Sequence, residues 1–308
     1  MIVVVCPGQG SQTPGFMAPW LELPSFRASI ESMQAASGID LVAHGTVSDA
    51  DTIRDTSVAQ PLIVSAGVAT LAALFDLGGS VSEKVAGVAG HSVGEITAAV
   101  ASGIFTAEQG IRFVKERGDA MALAAALEPT SMAAILGGDQ AIVEARLNEL
   151  GLEPANYNGA GQIVAAGSTA GISELQAAGP EGSRVIPLQV AGAFHTRYMA
   201  PAVSTLAAYA AGLTVADPMT SLWSNAGGRK IGSGPNFVEL MVNQVKSPVR
   251  WDLCMAAMAD AGVTALIEVA PAGTLVGLAK RSMPGVETLA IKSPENLDAA
   301  LALISNHA

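Results

Sequence analysis

The chain has 308 residues, of which 50% are hydrophobic and 14% are charged, so it can bury a large core and is not expected to be disordered. Its formal net charge of −11 argues against nucleic acid as the main partner, because phosphate binding needs a basic surface. The two cysteines, Cys6 and Cys254, are far apart and form no metal-ligand pattern, so we expect no bound metal and a reducing cytoplasm.

The N-terminal segment predicts a buried strand from Ile2 to Cys6, ended by Pro-Gly. It is too short, and lacks the basic start, for a signal peptide. Residues 8–12 (Gly-Gln-Gly-Ser-Gln) suggest a dinucleotide loop, but Thr13 stands where that motif needs its third glycine. No phosphate-binding P-loop occurs either, so nucleotide binding is not expected.

An uncharged, largely apolar run at residues 58–75 approaches the length of a membrane span. Polar and small residues interrupt it, Gln60 and Pro61 among them, so it predicts a buried helix without membrane insertion, with Pro61 in the first turn. Ahead of this run, residues 16–56 are predicted to be helical and polar.

The central motif is Gly-His-Ser-Val-Gly at residues 90–94, between a strand predicted at 85–89 and a helix predicted at 96–101. In that context G-x-S-x-G indicates a nucleophile elbow, a tight turn that lifts one serine clear of the sheet. The two glycines give the turn room, and the backbone N–H of Val93 then points toward an oxyanion formed beside Ser92.

A helix with a charged, solvated face is predicted from Thr106 to about Ala125. Arg117 lies five residues from Arg112, so the two need not share that face, and Arg117 becomes a candidate ligand for an anion.

The segment from Ser131 to Val190 predicts the element order β-α-β-β-α-β, which is ferredoxin-like. It is interpreted as a small lobe inserted into a larger one, with Pro129 and Gly192 near its borders. Beyond it, long helices and buried strands resume.

A serine hydroxyl is a poor nucleophile and needs an adjacent base. Of the four histidines, His91 should point away from its neighbour Ser92, His44 lies in a polar loop, and His307 is near the C-terminus. His195, in a Gly-Ala-Phe-His loop, is therefore the candidate base. No acid between Ser92 and His195 lies in a loop after a strand. That weakens a hydrolase triad and favours a dyad whose histidine is held by a carbonyl.

Further motifs accompany the elbow in a fixed order along the whole chain. They are Gly8-Gln9-Gly10-Ser11-Gln12, Gln60-Pro61, Gly90-His91-Ser92-Val93-Gly94-Glu95, Arg117, Ala193-Phe194-His195, Ser224-Asn225, Asn243-Gln244-Val245, Pro248-Val249-Arg250-Trp251 and Glu268-Val269-Ala270-Pro271. Together they resemble the malonyl-CoA:acyl-carrier-protein transacylases, in particular those of actinobacterial type II fatty-acid synthesis.

This resemblance implies an α/β fold with two subdomains. Residues 1–128 and 192–308 would form a hydrolase-like large subdomain with a mostly parallel sheet. Residues 129–191 would form the inserted ferredoxin-like small subdomain, and the active site would lie between the two.

The resemblance also implies roles for individual residues. Ser92 would be the nucleophile and His195 the base. Gln244 would hold the histidine through its main-chain carbonyl, which would account for the missing acid. The N–H groups of Gln9 and Val93 would form the oxyanion hole.

Substrate selection would depend on two further residues. Arg117 would bind the malonyl carboxylate through two parallel charge-assisted bonds, a geometry that lysine does not supply. Phe194 matches a position that narrows the pocket in malonyl-selective relatives. Gly192 departs from the histidine of many such relatives, which leaves the strictness of selection open.

The implied reaction transfers malonyl from malonyl-CoA to the phosphopantetheine thiol of acyl carrier protein, for fatty-acid or polyketide elongation. No resident cofactor is expected, because coenzyme A and phosphopantetheine arrive with the substrates. We expect a cytoplasmic monomer. Because carrier protein is acidic, as this chain is, a local basic rim is needed, for which Lys246, Arg250, Lys280 and Arg281 are candidates.

Three alternatives remain at this point. A serine esterase or thioesterase would hydrolyse acyl-CoA without an acceptor and would need an acid partner for His195. The transferase subunit of a malonate decarboxylase would use the same site on a different carrier protein. A non-catalytic acyl-CoA-binding protein would leave Ser92 and His195 idle.

Overall fold

The computed structural model describes residues 1–75 and 81–307. The strands are β1 (Ile2–Cys6), β2 (Gly87–Gly90), β3 (Thr130–Gly137), β4 (Glu153–Gly159), β5 (Gln162–Ser168), β6 (Ser183–Leu188), β7 (Ser221–Trp223), β8 (Val249–Arg250), β9 (Ala265–Glu268) and β10 (Glu287–Ala290). The α-helices are α1 (Pro24–Ser37), α2 (Leu41–Thr46), α3 (Thr56–Phe75), α4 (Val81–Lys84), α5 (Gly94–Ala101), α6 (Ala107–Ala125), α7 (Gln140–Glu149), α8 (Thr169–Ala177), α9 (Ala200–Ala210), α10 (Gly234–Gln244), α11 (Trp251–Asp260), α12 (Thr274–Ser282) and α13 (Leu297–His307). Short 3-10 turns occupy Trp20–Glu22, Thr52–Arg54, Arg197–Met199 and Pro294–Asn296.

The first sheet has the strand order β10-β9-β1-β2-β7, and all of its pairings are parallel. Every residue of β1 and β2 is buried, because helices cover both faces of such a sheet. Cys6 pairs with Gly90, so the loop after β1 and the turn after β2 leave the same edge side by side. The predicted α/β class with a parallel sheet is confirmed.

The second sheet has the order β6-β3-β5-β4-β8. Its first four strands, with α7 and α8, follow the predicted β-α-β-β-α-β order. The fifth strand, β8, comes from outside that segment and pairs parallel with β4. Residues 129–191 therefore do not build this sheet alone, and the division of the chain at those borders stays a prediction.

Helix α3 runs through the hydrophobic core on the parallel-sheet side of the molecule and packs against α1, α5 and α6. Among the described residues it is the one helix long and apolar enough to cross a membrane, with a mean hydropathy of 1.8. Since 78% of its 18-residue apolar stretch is buried inside the fold, α3 packs as a core helix, as predicted. The placement of Pro61 in the first turn was wrong, because the helix begins at Thr56 and Pro61 lies inside it.

Two other local predictions are corrected. Residues 16–56 do not form continuous helix but α1, α2 and two 3-10 turns separated by bends. His44 lies in α2, not in a loop, and its Nδ1 is 3.0 Å from the Ser48 hydroxyl.

Candidate active site

The turn between β2 and α5 forms a strand–turn–helix elbow around Ser92. Ser92 adopts a φ of 52°, in the left-handed region that costs an L-residue energy. A Cβ on Gly90 would overlap the backbone of Gly94, and a Cβ on Gly94 would overlap the carbonyl of Cys6. These close approaches require glycine at both places. The Ser92 N–H donates to Oδ1 of Asn225 at 2.8 Å, which ties the elbow to the segment after β7.

His195 lies against the serine, in the loop before the Arg197–Met199 turn. Its Nε2 is 2.7 Å from the Ser92 Oγ, and its Nδ1 is 2.8 Å from the main-chain carbonyl of Gln244. A carbonyl can only accept, so Nδ1 carries the proton and Nε2 is free to take one from the hydroxyl. His195 has a φ of 63°, and its backbone N–H donates to the carbonyl of Val245 at 2.9 Å. The ring is therefore held at both nitrogens, and the backbone of His195 is held by Val245.

Burial keeps this imidazole neutral. His195 is 4% exposed, and desolvation lowers its pKa to about 3, with a further lowering from the nearby Arg117 cation. The Gln244 carbonyl opposes this shift, because it accepts a bond from the protonated ring. At neutral pH the ring is an unprotonated acceptor and can act as a general base.

Arg117 projects from α6 to the same point and is 1% exposed. Its Nη1 donates to Oε1 of Gln60 at 2.6 Å, and its Nη2 donates to Oε1 of Gln244 at 2.9 Å. Nη2 also lies 3.5 Å from the Ser92 Oγ. Desolvation lowers the pKa of Arg117 to about 10, opposed by the charge of Glu95, so the group stays cationic at neutral pH. Arg112 on the same helix faces solvent and pairs with Glu108 at 2.9 Å.

Glu95, in the first turn of α5, was not identified as a site residue from the sequence. It is 1% exposed, and its oxygens accept the Asn225 N–H and the Gln244 Nε2, both at 2.6 Å. Burial raises its pKa to about 7, although the bond from the Asn225 N–H, the Ser224 hydroxyl and the Arg117 charge oppose the shift. The available signal was an acid on an otherwise apolar helix, directly after the elbow.

The loop after β1 packs against the elbow. A Cβ on Gly8 would come within 2.9 Å of both the carbonyl oxygen and Nδ1 of His91. Within residues 1–75 and 81–307, the backbone N–H groups of Gln9 and Val93 have no hydrogen-bond partner. Both N–H groups are therefore unpaired among the described residues, and their role as an oxyanion hole stays a prediction. The Gln9 side chain is used elsewhere, donating to the Arg54 carbonyl at 3.4 Å.

A cavity of about 300 Å³ opens over the serine. It is lined by Ser92, His195, Phe194, Gln60 and Gln9, together with residues of β4, β5 and α12. Phe194 is 6% exposed and lines this cavity, and its role in narrowing the pocket stays a prediction. A Cβ at position 192 would lie 2.6 Å from the Cβ of Ala125. A larger residue there would have to displace the end of α6.

Two of the three remaining histidines, His91 and His307, contact residues other than Ser92, although His91 also lines the cavity. His91 Nε2 lies 2.9 Å from Asn158 Oδ1, and its ring packs edge-on against Trp251. His307 in α13 contacts Thr264 and Glu287. No cluster of three His, Cys, Asp or Glu side chains suited to a metal ion occurs in the described parts of the chain.

The four basic residues predicted from the sequence to form a rim for carrier protein differ in how far they are already paired with other side chains. Arg250 is held by Asp252 through two bonds of 2.9 and 2.7 Å and lies over the Tyr157 ring. Arg281 is exposed, and its Nη2 lies 3.5 Å from Oε1 of Gln162, which lines the cavity. Lys280 and Lys246 are exposed as well.

A serine–histidine pair on a parallel α/β sheet defines a hydrolase-like protein whose site is built for acyl chemistry. The acyl transferase domain model matches residues 3–292. Malonyl CoA-acyl carrier protein transacylase from Mycobacterium tuberculosis H37Rv is 47% identical over 300 residues, covering 97% of this chain and 98% of that protein. The Escherichia coli K12 protein of that name is 32% identical over 306 residues, with coverage of 97% and 98%. The chain belongs to the acyl transferase family and, within it, to the malonyl CoA-acyl carrier protein transacylases.

Solved structures agree with this assignment. The crystal structure of MCAT from Mycobacterium tuberculosis superposes with a TM-score of 0.94 at 46% identity, covering 98% of this chain and 99% of that one. A malonyl-transacylase in complex with a type II PKS acyl-carrier protein gives a TM-score of 0.91 at 29% identity, with coverage of 98% and 99%.

Proposed function

We propose that this chain transfers the malonyl group from malonyl-CoA to the phosphopantetheine thiol of acyl carrier protein through a malonyl-serine on Ser92. One observation carries the proposal. A buried guanidinium, Arg117, lies 3.5 Å from a serine hydroxyl that is hydrogen-bonded to a neutral histidine. That arrangement suits a thioester whose acyl group ends in a carboxylate, and the names of the relatives point to the same substrate.

In the first half-reaction, the Ser92 oxygen attacks the thioester carbonyl while its proton moves to Nε2 of His195. The Gln244 carbonyl accepts the Nδ1–H and so stabilises the imidazolium that forms. The N–H groups of Gln9 and Val93 stabilise the oxyanion. When the carbon–sulfur bond breaks, His195 returns the proton to the departing coenzyme A sulfur, and the malonyl group remains as an ester on Ser92.

The second half-reaction reverses these steps with a different thiol. His195 takes the proton from the phosphopantetheine thiol, and the sulfur attacks the malonyl-serine carbonyl. Collapse of the intermediate breaks the serine ester bond and gives the proton back to the Ser92 oxygen. Malonyl carrier protein leaves and the enzyme is restored, so no resident cofactor or metal takes part. Exclusion of water from the cavity favours transfer over hydrolysis.

The malonyl carboxylate would bind in the cavity beside Ser92, within reach of Nη2 of Arg117. Arg117 has neutral amide acceptors at Gln60 and Gln244 and no ion-pair partner among the described side chains. A buried cation without a direct counter-ion gains most from a carboxylate ligand, since desolvation has already been incurred. An esterase for uncharged acyl groups would not need this cation. In the described chain no carboxylate faces Nδ1 of His195 either, as a hydrolase triad would require.

The remaining parts of the proposal concern the setting of the reaction. The enzyme acts in the cytoplasm as a monomer, and its carrier protein approaches the cavity mouth near the exposed Arg281. An acidic carrier needs such a local cation, because the chain as a whole carries a net charge of −11.

Intact-mass spectrometry tests the proposal. Mixing the protein with malonyl-CoA should add one malonyl group, absent in Ser92→Ala, and holo acyl carrier protein should then remove it and become malonylated. Steady hydrolysis without an acceptor would favour the thioesterase, and absence of an adduct in the native protein would refute an acyl-enzyme. An adduct that only the carrier protein of a malonate decarboxylase discharges would favour that alternative.

A further inference from the structure

Glu95 is a buried acid that the reaction steps above do not use. It lies in the first turn of α5, three residues after Ser92, and is 1% exposed. Its Oε1 accepts the backbone N–H of Asn225 and its Oε2 accepts Nε2 of Gln244, both at 2.6 Å. The carboxylate therefore lies behind the elbow with both oxygens engaged, and among the described residues it makes no ion pair with a cation.

Glu95 determines which way the Gln244 side chain faces. The Gln244 NH₂ group has two acceptors, Glu95 at 2.6 Å and Asn225 Oδ1 at 3.1 Å. Rotating the amide by half a turn would place its oxygen against those two acceptors and its NH₂ against the Arg117 guanidinium. Both contacts would be repulsive, so the amide oxygen is fixed toward Nη2 of Arg117, where it accepts a bond of 2.9 Å.

Glu95 also compensates part of the charge of Arg117 without contacting the guanidinium directly. The path from carboxylate to guanidinium runs through one neutral amide, and Glu95 is the acid whose charge supports the cationic form of Arg117. A carboxylate in direct contact would compete with the substrate for the guanidinium donors. A carboxylate one amide away offsets part of the charge and leaves the face toward Ser92 free.

We propose that Glu95 is a positioning residue for the selection of carboxylated acyl groups. It holds the Gln244 amide so that Arg117 stays aimed at Ser92, and it offsets the buried cation from behind. This inference rests on the proposed function, since it assumes that Arg117 receives the malonyl carboxylate. Glu95 itself touches neither the acyl group nor the reacting atoms.

The first test compares Glu95→Gln with the native enzyme. The variant has one acceptor oxygen for two donors, so either Asn225 or Gln244 faces an NH₂ group. The chain of hydrogen bonds from residue 95 through the Gln244 amide to Arg117, here called the relay, is then broken. We expect the ratio of kcat/KM for malonyl-CoA to kcat/KM for acetyl-CoA to fall about tenfold or more. The loss for malonyl-CoA should appear mainly in KM, because binding of the carboxylate is what is weakened. Glu108→Gln, the same change on the exposed side of α6, is the matched control and should leave the ratio unchanged.

A double-mutant cycle with Arg117→Ala separates positioning from general damage. If Glu95 acts through Arg117, adding Glu95→Gln to Arg117→Ala should leave the malonyl:acetyl ratio where Arg117→Ala alone puts it. Equal loss for both substrates in Glu95→Gln, or an additive drop of the ratio in the double variant, would overturn the proposal.

A second variant keeps the test decisive if Glu95→Gln does not fold. Gln244→Met removes the amide at similar length while the main-chain carbonyl that holds His195 remains. The ratio should fall as it does for Glu95→Gln, and an unchanged ratio would overturn the relay. Failure of the proposed function has a different signature, because the native enzyme would then form no malonyl adduct on Ser92.

Discussion

The main-chain carbonyl of Gln244 lies 2.8 Å from Nδ1 of His195, in the place where a hydrolase triad would put a carboxylate. The carbonyl also accepts the N–H of Ser247 at 3.1 Å, which fixes its direction. A neutral acceptor orients the imidazole without adding a negative charge to the site. That matters here, because a carboxylate beside His195 would repel the carboxylate of a malonyl group and compete for Arg117.

The pH dependence of acylation should report Glu95 and not His195. The pKa of His195 is lowered to about 3, so the base stays unprotonated throughout the usual working range. The pKa of Glu95 is raised to about 7, with Arg117 and the Cys254 thiol as its charged or titratable neighbours. Below that value Glu95 gains a proton, stops offsetting Arg117 and accepts more weakly from Gln244. The malonyl:acetyl ratio of kcat/KM should therefore fall between about pH 8 and about pH 6.

The control for this pH profile is Glu95→Gln, which has no group to titrate at that position. Its malonyl:acetyl ratio should be low and flat over the same range. If the native ratio is flat too, or if acetyl-CoA shows the same acidic limb as malonyl-CoA, then Glu95 does not titrate as described.

Replacing Arg117 should abolish the preference for a carboxylated acyl group. Arg117→Ala leaves the substrate carboxylate buried without a partner, for which a cost of about 2–5 kcal/mol is typical. We expect kcat/KM for malonyl-CoA to fall accordingly while acetyl-CoA loses little. Arg117→Lys should recover only part of the loss, because a lysine cannot bond Gln60, Gln244 and a carboxylate in one plane. The measurement is the rate of CoA release from malonyl-CoA and from acetyl-CoA. A malonyl preference that survives in Arg117→Ala would show that Arg117 does not bind the malonyl carboxylate.

Local sequence patterns predicted the helices and strands of this fold well. They predicted the hydrogen bonds between residues far apart in the sequence much less well. The elbow, α3, α6 and the β-α-β-β-α-β order follow from spacing of apolar residues and glycines within short windows. The bonds from Ser92 to Asn225 and from Glu95 to Gln244 join residues 133 and 149 positions apart, and nothing in a local pattern specifies such a pair. The role of Gln244 came from family resemblance, since a backbone carbonyl has no signature of its own.

The link from Asn225 to Ser92 should hold the elbow and contribute to stability. Asn225 donates Nδ2 to the Gly90 carbonyl at 2.8 Å and accepts the Ser92 N–H through Oδ1. Asn225→Ala leaves the buried Gly90 carbonyl and the partly buried Ser92 N–H without partners, at about 1–3 kcal/mol for a fully buried group and less for a partly buried one. We expect a loss of about 2–4 kcal/mol in the free energy of unfolding, measured by denaturant titration, together with a lower kcat. Asn148→Ala, on the exposed side of α7, is the control and should change neither, whereas an unchanged stability in Asn225→Ala would refute the link.

Docking of the acidic carrier protein should depend on Arg281 more than on Arg250. Arg281 is exposed and bonds to Gln162, which lines the cavity, whereas Arg250 is already paired with Asp252 and packed on Tyr157. Arg281→Glu should raise the KM for holo carrier protein and make that KM rise less steeply with salt, because an attraction that salt screens is replaced by a repulsion.

The first half-reaction provides the internal control for that comparison. Formation of malonyl-serine from malonyl-CoA does not involve carrier protein, so its kcat/KM should change much less in Arg281→Glu than the KM for carrier protein does. Arg250→Glu places an acid beside Asp252, so it should lower stability through like-charge repulsion more than it weakens docking. If Arg281→Glu instead slows both half-reactions equally, Arg281 affects the cavity itself and the carrier protein docks on another part of the surface.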